Sequence, residues 1–218
     1  MAGALALYGD GYFASPFDAC CFVALEEKQL PFAIGRAILR DGAGVPPLLG
    51  TLTGIPRVPA LQHGDFWLTE SIAIAEYLEQ IFPPPAYARL FPDEPRALAR
   101  ARQVMAWIRF DLRALRAARP WWMTIYPASP PPLSPTAERD AHELFALVAH
   151  LDASGDLAAW NLSHLDLALS LSRLRPTDPT LPASSRRLLD ANLARPSVRK
   201  YLDHPRPPNP PPWPPPPP

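Results

Sequence analysis

This chain has no excess of charge of either sign, no long apolar run and very little cysteine. Its 218 residues include 21 Lys and Arg residues against 21 Asp and Glu residues. Because nucleic acids and membrane surfaces both attract a cationic face, this balance supports neither kind of partner. No apolar stretch approaches the length of a transmembrane helix. Residues Met1–Leu7 carry no Lys or Arg before their short apolar run, which favours a first strand over a signal peptide.

Two cysteines are present, Cys20 and Cys21, and they are adjacent. Phe17, Phe22 and Leu25 flank them in a helical pattern, and neighbouring side chains on a helix point in different directions. A bridge between them is therefore unfavourable. We expect two buried thiols in a reducing cytoplasm, since the alternative, a redox pair, needs a polar helix terminus.

Proline is abundant, with 32 residues, while apolar residues form 48% of the chain and are ample for a buried core. Eleven prolines fall in the fourteen residues Pro205–Pro218, which indicates an extended or disordered tail. This tail is either an unselected extension or a docking peptide for a polyproline-binding module. A second segment, Pro127–Pro135, has five prolines and must be a loop.

Strand and helix signals alternate through the first eighty residues. A glycine and aromatic loop leads to Ser15 as N-cap and Pro16 at the first helical position, a strong helix start. The predicted elements are a strand at Leu5–Tyr8, a helix to about Lys28, a strand at Phe32–Leu39, a surface excursion at Asp41–Thr53 with room for one short helix, two strands around a turn at Gly64–Asp65, and a helix to about Ile81. The order β-α-β-(α)-β-β-α predicts a thioredoxin-like mixed sheet.

The segment 57–71 carries the first candidate site. Pro59 lacks an N–H, so it belongs at an edge or in a tight turn, and a cis Val58–Pro59 bond would expose the Val58 backbone to a ligand. Glu70 and Ser71 lie at a helix N-terminus, where free N–H groups and the positive dipole end attract a carboxylate. The alternative is an ordinary hairpin followed by an ordinary N-cap.

The second half of the chain has the three- and four-residue apolar spacing of helices. The predicted helices are Glu94–Arg119, Thr136 to about Ala153, a buried helix beginning near Ser163, and Ser184–Leu202 with an interruption at Pro196, where Ser197 is a candidate cap. Ser163 with Asp166 has the spacing of a capping box, and Leu162 with Leu167 that of a hydrophobic staple. We interpret this motif as folding machinery and not as a catalytic site.

Together these motifs resemble the cytosolic glutathione S-transferase superfamily, over almost the whole chain up to about His204. The most specific are Val58–Leu61 with Glu70–Ser71, the Ser15–Phe17 helix start, and the Ser163–Asp166 segment. The chain looks most similar to bacterial stress-related transferases that begin the first helix with Ser-Pro-Phe. The resemblance implies a thioredoxin-like domain at 1–82, a linker at 83–92, an all-helical domain at 93–204, a tail at 205–218, and a cytoplasmic homodimer.

The resemblance also implies the roles of single residues. The Val58 backbone beside cis Pro59 would pair with the cysteinyl part of glutathione. Ser71 and its N–H would bind the γ-glutamyl carboxylate, and Glu70 the ammonium. Ser15 would direct its hydroxyl at the sulfur and, with the helix dipole, favour the thiolate. Glutathione would be a co-substrate, and no metal is expected.

Some roles stay open between alternatives. Tyr8 and Tyr12 compete with Ser15 for thiol activation, although Tyr8 lies in a predicted strand and Tyr12 precedes the cap by three residues. Ser15 could also be a plain N-cap. Arg40 and Arg57 are both candidates for the glycyl carboxylate, and their spacing does not choose between them.

The reaction implied is transfer of the glutathione thiol to a small hydrophobic electrophile or a peroxide. Ser15 stands where thiol-transferring relatives have cysteine, which argues against disulfide exchange through a protein thiol. Candidates for the wall of the second-substrate site are Trp107, Arg113, Trp121 and Trp122, while Phe110 is expected in the core. The alternatives are a non-catalytic binding or regulatory protein and a glutathione-dependent isomerase of a dicarboxylic substrate, with Arg113 or Arg116 supplying positive charge.

Overall fold

The computed structural model describes residues 3–37, 47–174 and 181–210. The chain divides into two compact units, one of Met1–Ala88 with Lys200–Pro218 and the other of Arg89–Arg199. Among the described residues, none of the helices combines the length and the apolar character needed to cross a bilayer. Most of the predicted proline-rich tail, from residue 211 on, lies outside the described residues.

The first unit contains a four-stranded sheet with helices. Its elements are β1 (Leu5–Asp10), α1 (Pro16–Glu27), β2 (Phe32–Ala37), α2 (Pro47–Thr53), β3 (Ala60–His63), β4 (Phe66–Thr69) and α3 (Ser71–Ile81). The strand order is β2-β1-β3-β4, with β1 parallel to β2 and the other two pairs antiparallel. The predicted thioredoxin-like arrangement is confirmed, and β1 extends two residues beyond the predicted end.

The sheet register decides which side chains share a face. Leu5 pairs with both Phe32 and His63, so these three side chains project from the same side. Phe22 of α1 packs edge-on against Phe32 with ring centres 5.4 Å apart, and the Tyr77 hydroxyl of α3 lies 2.8 Å from His63 Nδ1. Helices α1 and α3 therefore cover one face of the sheet.

Tyr8 projects from the opposite face. Its hydroxyl donates to Gln62 Oε1 at 3.1 Å, and its ring centre lies 5.1 Å from that of Trp67. A Cβ at Gly35 would lie 2.2 Å from the Tyr8 ring, so glycine is required there. The Tyr8 hydroxyl is thus engaged on the face that α1 does not cover.

Helix α1 contains the two cysteines in its interior. Cys20 and Cys21 are both fully buried and form no disulfide, so the expectation of buried thiols is confirmed.

The hairpin between β3 and β4 turns at Gly64, as predicted. Gly64 has φ +63°, a left-handed conformation that favours glycine.

The second unit is helical in its described part. Its helices are α4 (Pro95–Phe110), α5 (Arg113–Ala118), α6 (Trp122–Ile125), α7 (Pro135–Ala153), α8 (Leu162–Leu171), α9 (Ala183–Leu193) and the start of α10 (Pro196–Leu202). Its core is built from apolar side chains of α4, α5, α7, α8 and α9, among them Ile108, Leu115, Leu144, Leu167 and Leu188. The predicted interruption before Pro196 and the loop preceding Pro135 are both present.

The prediction of one continuous helix over Glu94–Arg119 is wrong. The helix breaks at Asp111 and Leu112, and Leu112 adopts a left-handed conformation with φ +54°. Two side chains from outside the break supply hydrogen bonds there. Asp140 Oδ2 accepts from the Leu115 N–H at 2.9 Å, and Arg116 donates to the Arg109 carbonyl at 2.6 Å. Tertiary hydrogen bonds thus replace those that a continuous helix would make.

The predicted capping box at Ser163 and Asp166, with its Leu162–Leu167 staple, is also wrong. Asn161 is the N-cap of α8, since its Oδ1 accepts from the Ser163 N–H at 3.0 Å and from the Ser163 hydroxyl at 2.6 Å. Asp166 instead forms an ion pair with Arg109 at 2.5 Å. The helix cap predicted at Ser197 is wrong as well, because α10 begins one residue earlier, at Pro196.

Candidate functional site

Three segments of the first unit leave the sheet at the same end of its strands, which we call the sheet edge. Ala60, the first residue of β3, pairs with Tyr8 on one side and with Thr69 on the other. The residues that follow Tyr8, precede Ala60 and follow Thr69 therefore lie at the same edge. These are the end of β1 with the loop and helix start 11–15, the Val58–Pro59 pair and the Glu70–Ser71 pair.

The Val58–Pro59 peptide bond is cis, as predicted. Pro59 is buried and Val58 is half-buried. Within the described residues, the N–H and the C=O of Val58 form no hydrogen bond. An unpaired backbone beside a strand is what an extended peptide needs in order to add its own hydrogen bonds.

Glu70 and Ser71 form the start of α3. Glu70 is exposed, has φ +68°, and makes no capping hydrogen bond with its side chain. Ser71 is the first residue of the helix and is buried. The Glu70 carboxylate is therefore available to a ligand, beside a helix N-terminus whose dipole favours a carboxylate.

Ser15 caps α1 and is half-exposed. Its Oγ accepts a hydrogen bond from the Asp18 N–H at 3.3 Å. This bond uses a lone pair of the hydroxyl and leaves its proton available for donation. The Ser15 side chain is also hydrogen-bonded to the Asp18 carboxyl group, an interaction that partly offsets the rise that burial causes in the pKa of Asp18, so a ligand atom would have to take the Ser15 proton from Asp18.

The two competing tyrosines differ in their placement. The Tyr8 hydroxyl donates to Gln62 Oε1 on the face opposite α1, the helix that Ser15 caps. Tyr12 lies in the loop itself, is 8% exposed, and donates its N–H to Asp10 Oδ1 at 2.9 Å. Tyr12 therefore remains the alternative to Ser15 at this edge.

Two buried carboxyl groups behind the loop were missed from the sequence. Asp10 accepts from the N–H groups of Tyr12 and Ala14, and Asp18 Oδ2 accepts from the Asp10 N–H at 2.5 Å. Burial, and then the charge of Asp10, raise the pKa of Asp18 well above its ordinary value. The spacing of Ser15 and Asp18 is that of an N-cap and its third helical residue, a signal that would have identified Asp18.

Two arginines are predicted to bind the glycyl carboxylate, and the structure describes one of them. Arg57 is exposed, and its N–H donates to the Ile55 carbonyl at 2.8 Å, so its side chain is on the surface next to Val58. Arg40 lies outside the described residues.

The proposed second-substrate residues lie in the second unit and differ in exposure. Trp121 is buried and donates its Nε1–H to Ser172 Oγ at 2.9 Å, which is a packing role. Trp107 and Trp122 are half-buried, and Arg113 is exposed. Phe110 is 72% exposed, so the expectation that it packs in the core is wrong.

A group of arginines surrounds the break between α4 and α5. Arg173 is buried and donates to the Arg119 carbonyl at 2.7 Å. Burial, followed by the charge of Arg116, lowers the pKa of Arg173 to about 9. Burial also lowers the pKa of Arg116, with smaller contributions from Arg109 and Arg113. This part of the second unit is therefore rich in desolvated positive charge.

Comparison with known proteins links both units to one family. The family model "Glutathione S-transferase, N-terminal domain" matches residues 14–81, and "Glutathione S-transferase, C-terminal domain" matches residues 94–203. Human glutathione S-transferase theta-1 is 29% identical over 134 residues, which are 61% of this chain and 52% of that protein. The chain thus spans about half the length of this curated relative.

Solved structures cover more of the chain. A glutathione transferase homolog from Burkholderia with bound glutathione is 32% identical, with a TM-score of 0.72, and the match covers 91% of this chain and 96% of that one. A diazinon-metabolizing glutathione S-transferase from the silkworm Bombyx mori is 18% identical, with a TM-score of 0.75 and coverage of 91% and 95%. At that identity the silkworm structure supports the fold alone.

Proposed function

Since this chain belongs to the glutathione S-transferase family, we propose that it binds glutathione at the sheet edge formed by Ser15, Val58 and Glu70, and directs the thiol at an electrophile or an organic hydroperoxide. We place it with the bacterial stress-related transferases whose first helix begins with Ser-Pro-Phe, here Ser15–Phe17. We also propose that the active form is a homodimer in the cytoplasm.

The binding roles follow the geometry of the edge. The N–H and C=O of Val58, which form no hydrogen bond in the part of the chain that the structure describes, pair with the cysteinyl backbone of the tripeptide. Ser71 and the α3 N-terminus bind the γ-glutamyl carboxylate, and the exposed Glu70 carboxylate binds the ammonium. Arg57 is the proposed partner of the glycyl carboxylate.

Ser15 supplies the chemistry at the sulfur. A free thiol with a pKa of about 8.5 is mostly protonated at neutral pH. Donation from the Ser15 hydroxyl and the dipole of α1 both favour the thiolate, and a fall of one in the thiol pKa corresponds to about 1.4 kcal/mol. The thiolate is the nucleophile in every reaction proposed here.

One observation carries the proposal. The Val58 backbone, which forms no hydrogen bond within the described residues, the exposed Glu70 before α3 and the hydroxyl of Ser15 lie at one sheet edge, although they come from three separate segments. The glutathione bound to the related Burkholderia structure supports the choice of ligand.

The test compares Ser15→Ala and Glu70→Ala with wild type in a thiol-transfer assay and a hydroperoxide assay. We expect Ser15→Ala to lower kcat by about tenfold to a hundredfold with little change in glutathione affinity, because the sulfur is the only part of glutathione that Ser15 is proposed to contact. Glu70→Ala should chiefly raise KM for glutathione.

The chain provides a matched control in Ser134, the N-cap of α7. Its Oγ accepts from the Ala137 N–H at 3.3 Å, the same distance as in the Ser15 cap. Ser134→Ala should leave kcat and KM unchanged. Equal kinetics for Ser15→Ala and wild type would remove Ser15 from the mechanism. Retention on immobilised glutathione without turnover of any electrophile or peroxide would instead favour a binding protein.

The arginine group favours a second candidate reaction, isomerisation of a dicarboxylic substrate with glutathione. Such a substrate needs positive charge, and Arg113 is exposed beside the partly buried Arg116. Comparing maleylacetoacetate with a hydroperoxide as substrate separates the two reactions. Higher kcat/KM for the hydroperoxide supports the first proposal.

A further inference from the structure

Residues 200–206, which we call the C-terminal strap, contact the loop that carries Ser15. The strap includes the last turn of α10 and the residues after it, and it belongs with the sheet to the first unit. The binding residues assigned above lie on other segments. The strap is therefore an additional part of the candidate site that no motif indicated.

Arg206 joins the strap to the loop through one guanidinium group. Its Nε donates to the Phe13 carbonyl at 3.2 Å. Its other nitrogens donate to carbonyls at the end of α10, to Tyr201 at 2.8 Å, to His204 at 2.9 Å, and to Leu202. The planar guanidinium group of Arg206 thus holds the end of α10 and the loop in a fixed relative position.

The loop needs such support at Phe13. This residue has φ +50°, a left-handed conformation that a bulky side chain adopts at a cost. Its ring stacks on His204, with ring centres 3.9 Å apart and planes 10° apart, and it lies 5.7 Å from the ring of Tyr201. The strap therefore contacts both the backbone and the side chain of Phe13.

Tyr201 extends the contact to Ser15 itself. Its hydroxyl donates to the Ser15 carbonyl at 3.2 Å, and the residue is 1% exposed. Burial, followed by the charges of Asp18 and Asp10, raises the pKa of Tyr201, so that its hydroxyl keeps its proton and remains a donor.

We propose that Arg206 and Tyr201 are positioning residues that hold the Phe13–Ser15 segment so that the Ser15 hydroxyl faces the glutathione sulfur. This inference rests on the proposed function. Because Val58, Glu70 and Ser71 hold the tripeptide from other segments, the strap affects the rate of thiol attack and not the affinity for glutathione.

The experiment uses the full chain with Arg206→Gln, Arg206→Lys and Tyr201→Phe. Steady-state kinetics should show kcat falling about fivefold to twentyfold for Arg206→Gln and Tyr201→Phe, with KM for glutathione within about twofold of wild type. Arg206→Lys, which keeps the charge, should recover part of the loss. Amide hydrogen exchange over residues 12–15 should be faster in Arg206→Gln.

Lys200→Gln is the matched control within the strap. Lys200 Nζ binds Glu26 at 2.8 Å, its side chain is 64% exposed, and this ion pair does not involve the loop. Loss of the Lys200–Glu26 ion pair should change neither kcat nor the amide hydrogen exchange of residues 12–15. Since Tyr201→Phe keeps the ring, it decides the question even where Arg206→Gln fails to fold.

Two outcomes overturn the inference while leaving the proposed function intact. Wild-type kcat in Tyr201→Phe, or in an Arg206→Gln variant that folds, shows that the strap does not position Ser15. A rise in KM without a fall in kcat shows that it acts on binding. If wild-type protein neither binds glutathione by calorimetry nor turns it over, the proposed function fails, and the inference fails with it.

Discussion

Two helices of this protein begin with the same pair of residues in different surroundings. Helix α1 starts with Pro16 after Ser15, and α7 starts with Pro135 after Ser134. In both, the serine Oγ accepts from the N–H of the third helical residue at 3.3 Å. The local motif thus produces the same helix start in a mixed α/β unit and in a helical one.

What differs is the environment of the two hydroxyl groups. Ser134 is exposed and follows the proline-rich loop. Ser15 stands at the same sheet edge as Val58, its carbonyl accepts a hydrogen bond from Tyr201, and the third residue of its helix is the buried Asp18. A Ser-Pro pair therefore predicts a helix start, and the surroundings decide whether its hydroxyl has a second role.

A third helix start, that of α8, should give the largest stability effect. Asn161 is 5% exposed and accepts two hydrogen bonds from Ser163. Asn161→Ala should lower the free energy of unfolding by about 2–3 kcal/mol, since it removes the cap and leaves buried donors unpaired. Urea denaturation measures this, with Asn161→Asp as the control that keeps an acceptor. A loss below that of Ser134→Ala would contradict the assignment of Asn161 as the cap.

The two serine caps should have smaller and equal effects on stability. Ser15→Ala and Ser134→Ala should each lower the free energy of unfolding by about 1 kcal/mol, because the capping bonds have the same length. Thermal or urea unfolding of both variants tests this. Equal stability losses combined with unequal kinetics would show that Ser15 has a role beyond capping, whereas a much larger loss for Ser15→Ala would attribute its kinetic effect to local unfolding.

A further effect is expected in the pH dependence of stability, because the third residue of α1 is the buried Asp18 where α7 has Ala137. The folded-state pKa of Asp18 is raised above its ordinary value of 3.8, by burial first and by Asp10 next. The stability that protonated Asp18 contributes is fully present below pH 3.8 and is lost as pH rises from there through the raised pKa. Asp18→Asn should therefore become more stable relative to wild type as pH rises.

Urea unfolding between pH 4 and pH 8 measures that difference. Glu138→Gln is the control, since Glu138 is the exposed acidic residue in the first turn of α7. Its profile should stay parallel to that of wild type. A parallel profile for Asp18→Asn as well would show that Asp18 titrates normally in the folded protein.

The sequence predicted those parts of the fold that depend on neighbouring residues. The Ser15 helix start and the turn at Gly64 were predicted from the residues, since caps and turns act over a few residues, whereas the cis Val58–Pro59 bond was implied by the family resemblance. The break at Leu112 was missed because the apolar spacing continues through it, and Asp140, 25 positions from Leu115, stabilises it.

The N-cap of α8 is a second feature that the sequence pattern did not predict correctly. Ser163 and Asp166 have the correct spacing for a capping box, yet Asn161 takes the position because its amide oxygen binds both donors of Ser163. Asp166 then pairs with Arg109, which is 57 positions away. Spacing alone does not reveal which of two suitable polar residues has a better partner elsewhere.

By itself, the sequence determined the order of strands and helices in the first unit, the family, and the segments that contain Ser15, Val58 and Glu70. The tertiary structure alone decided that these segments share one sheet edge, that the Tyr8 hydroxyl binds Gln62 on the face opposite α1, and that Tyr201, 186 positions from Ser15, donates to the Ser15 carbonyl. The physical reason is range. Backbone capping and turn preferences act within about four residues, whereas strand register and side-chain burial depend on segments that meet only after the chain has folded.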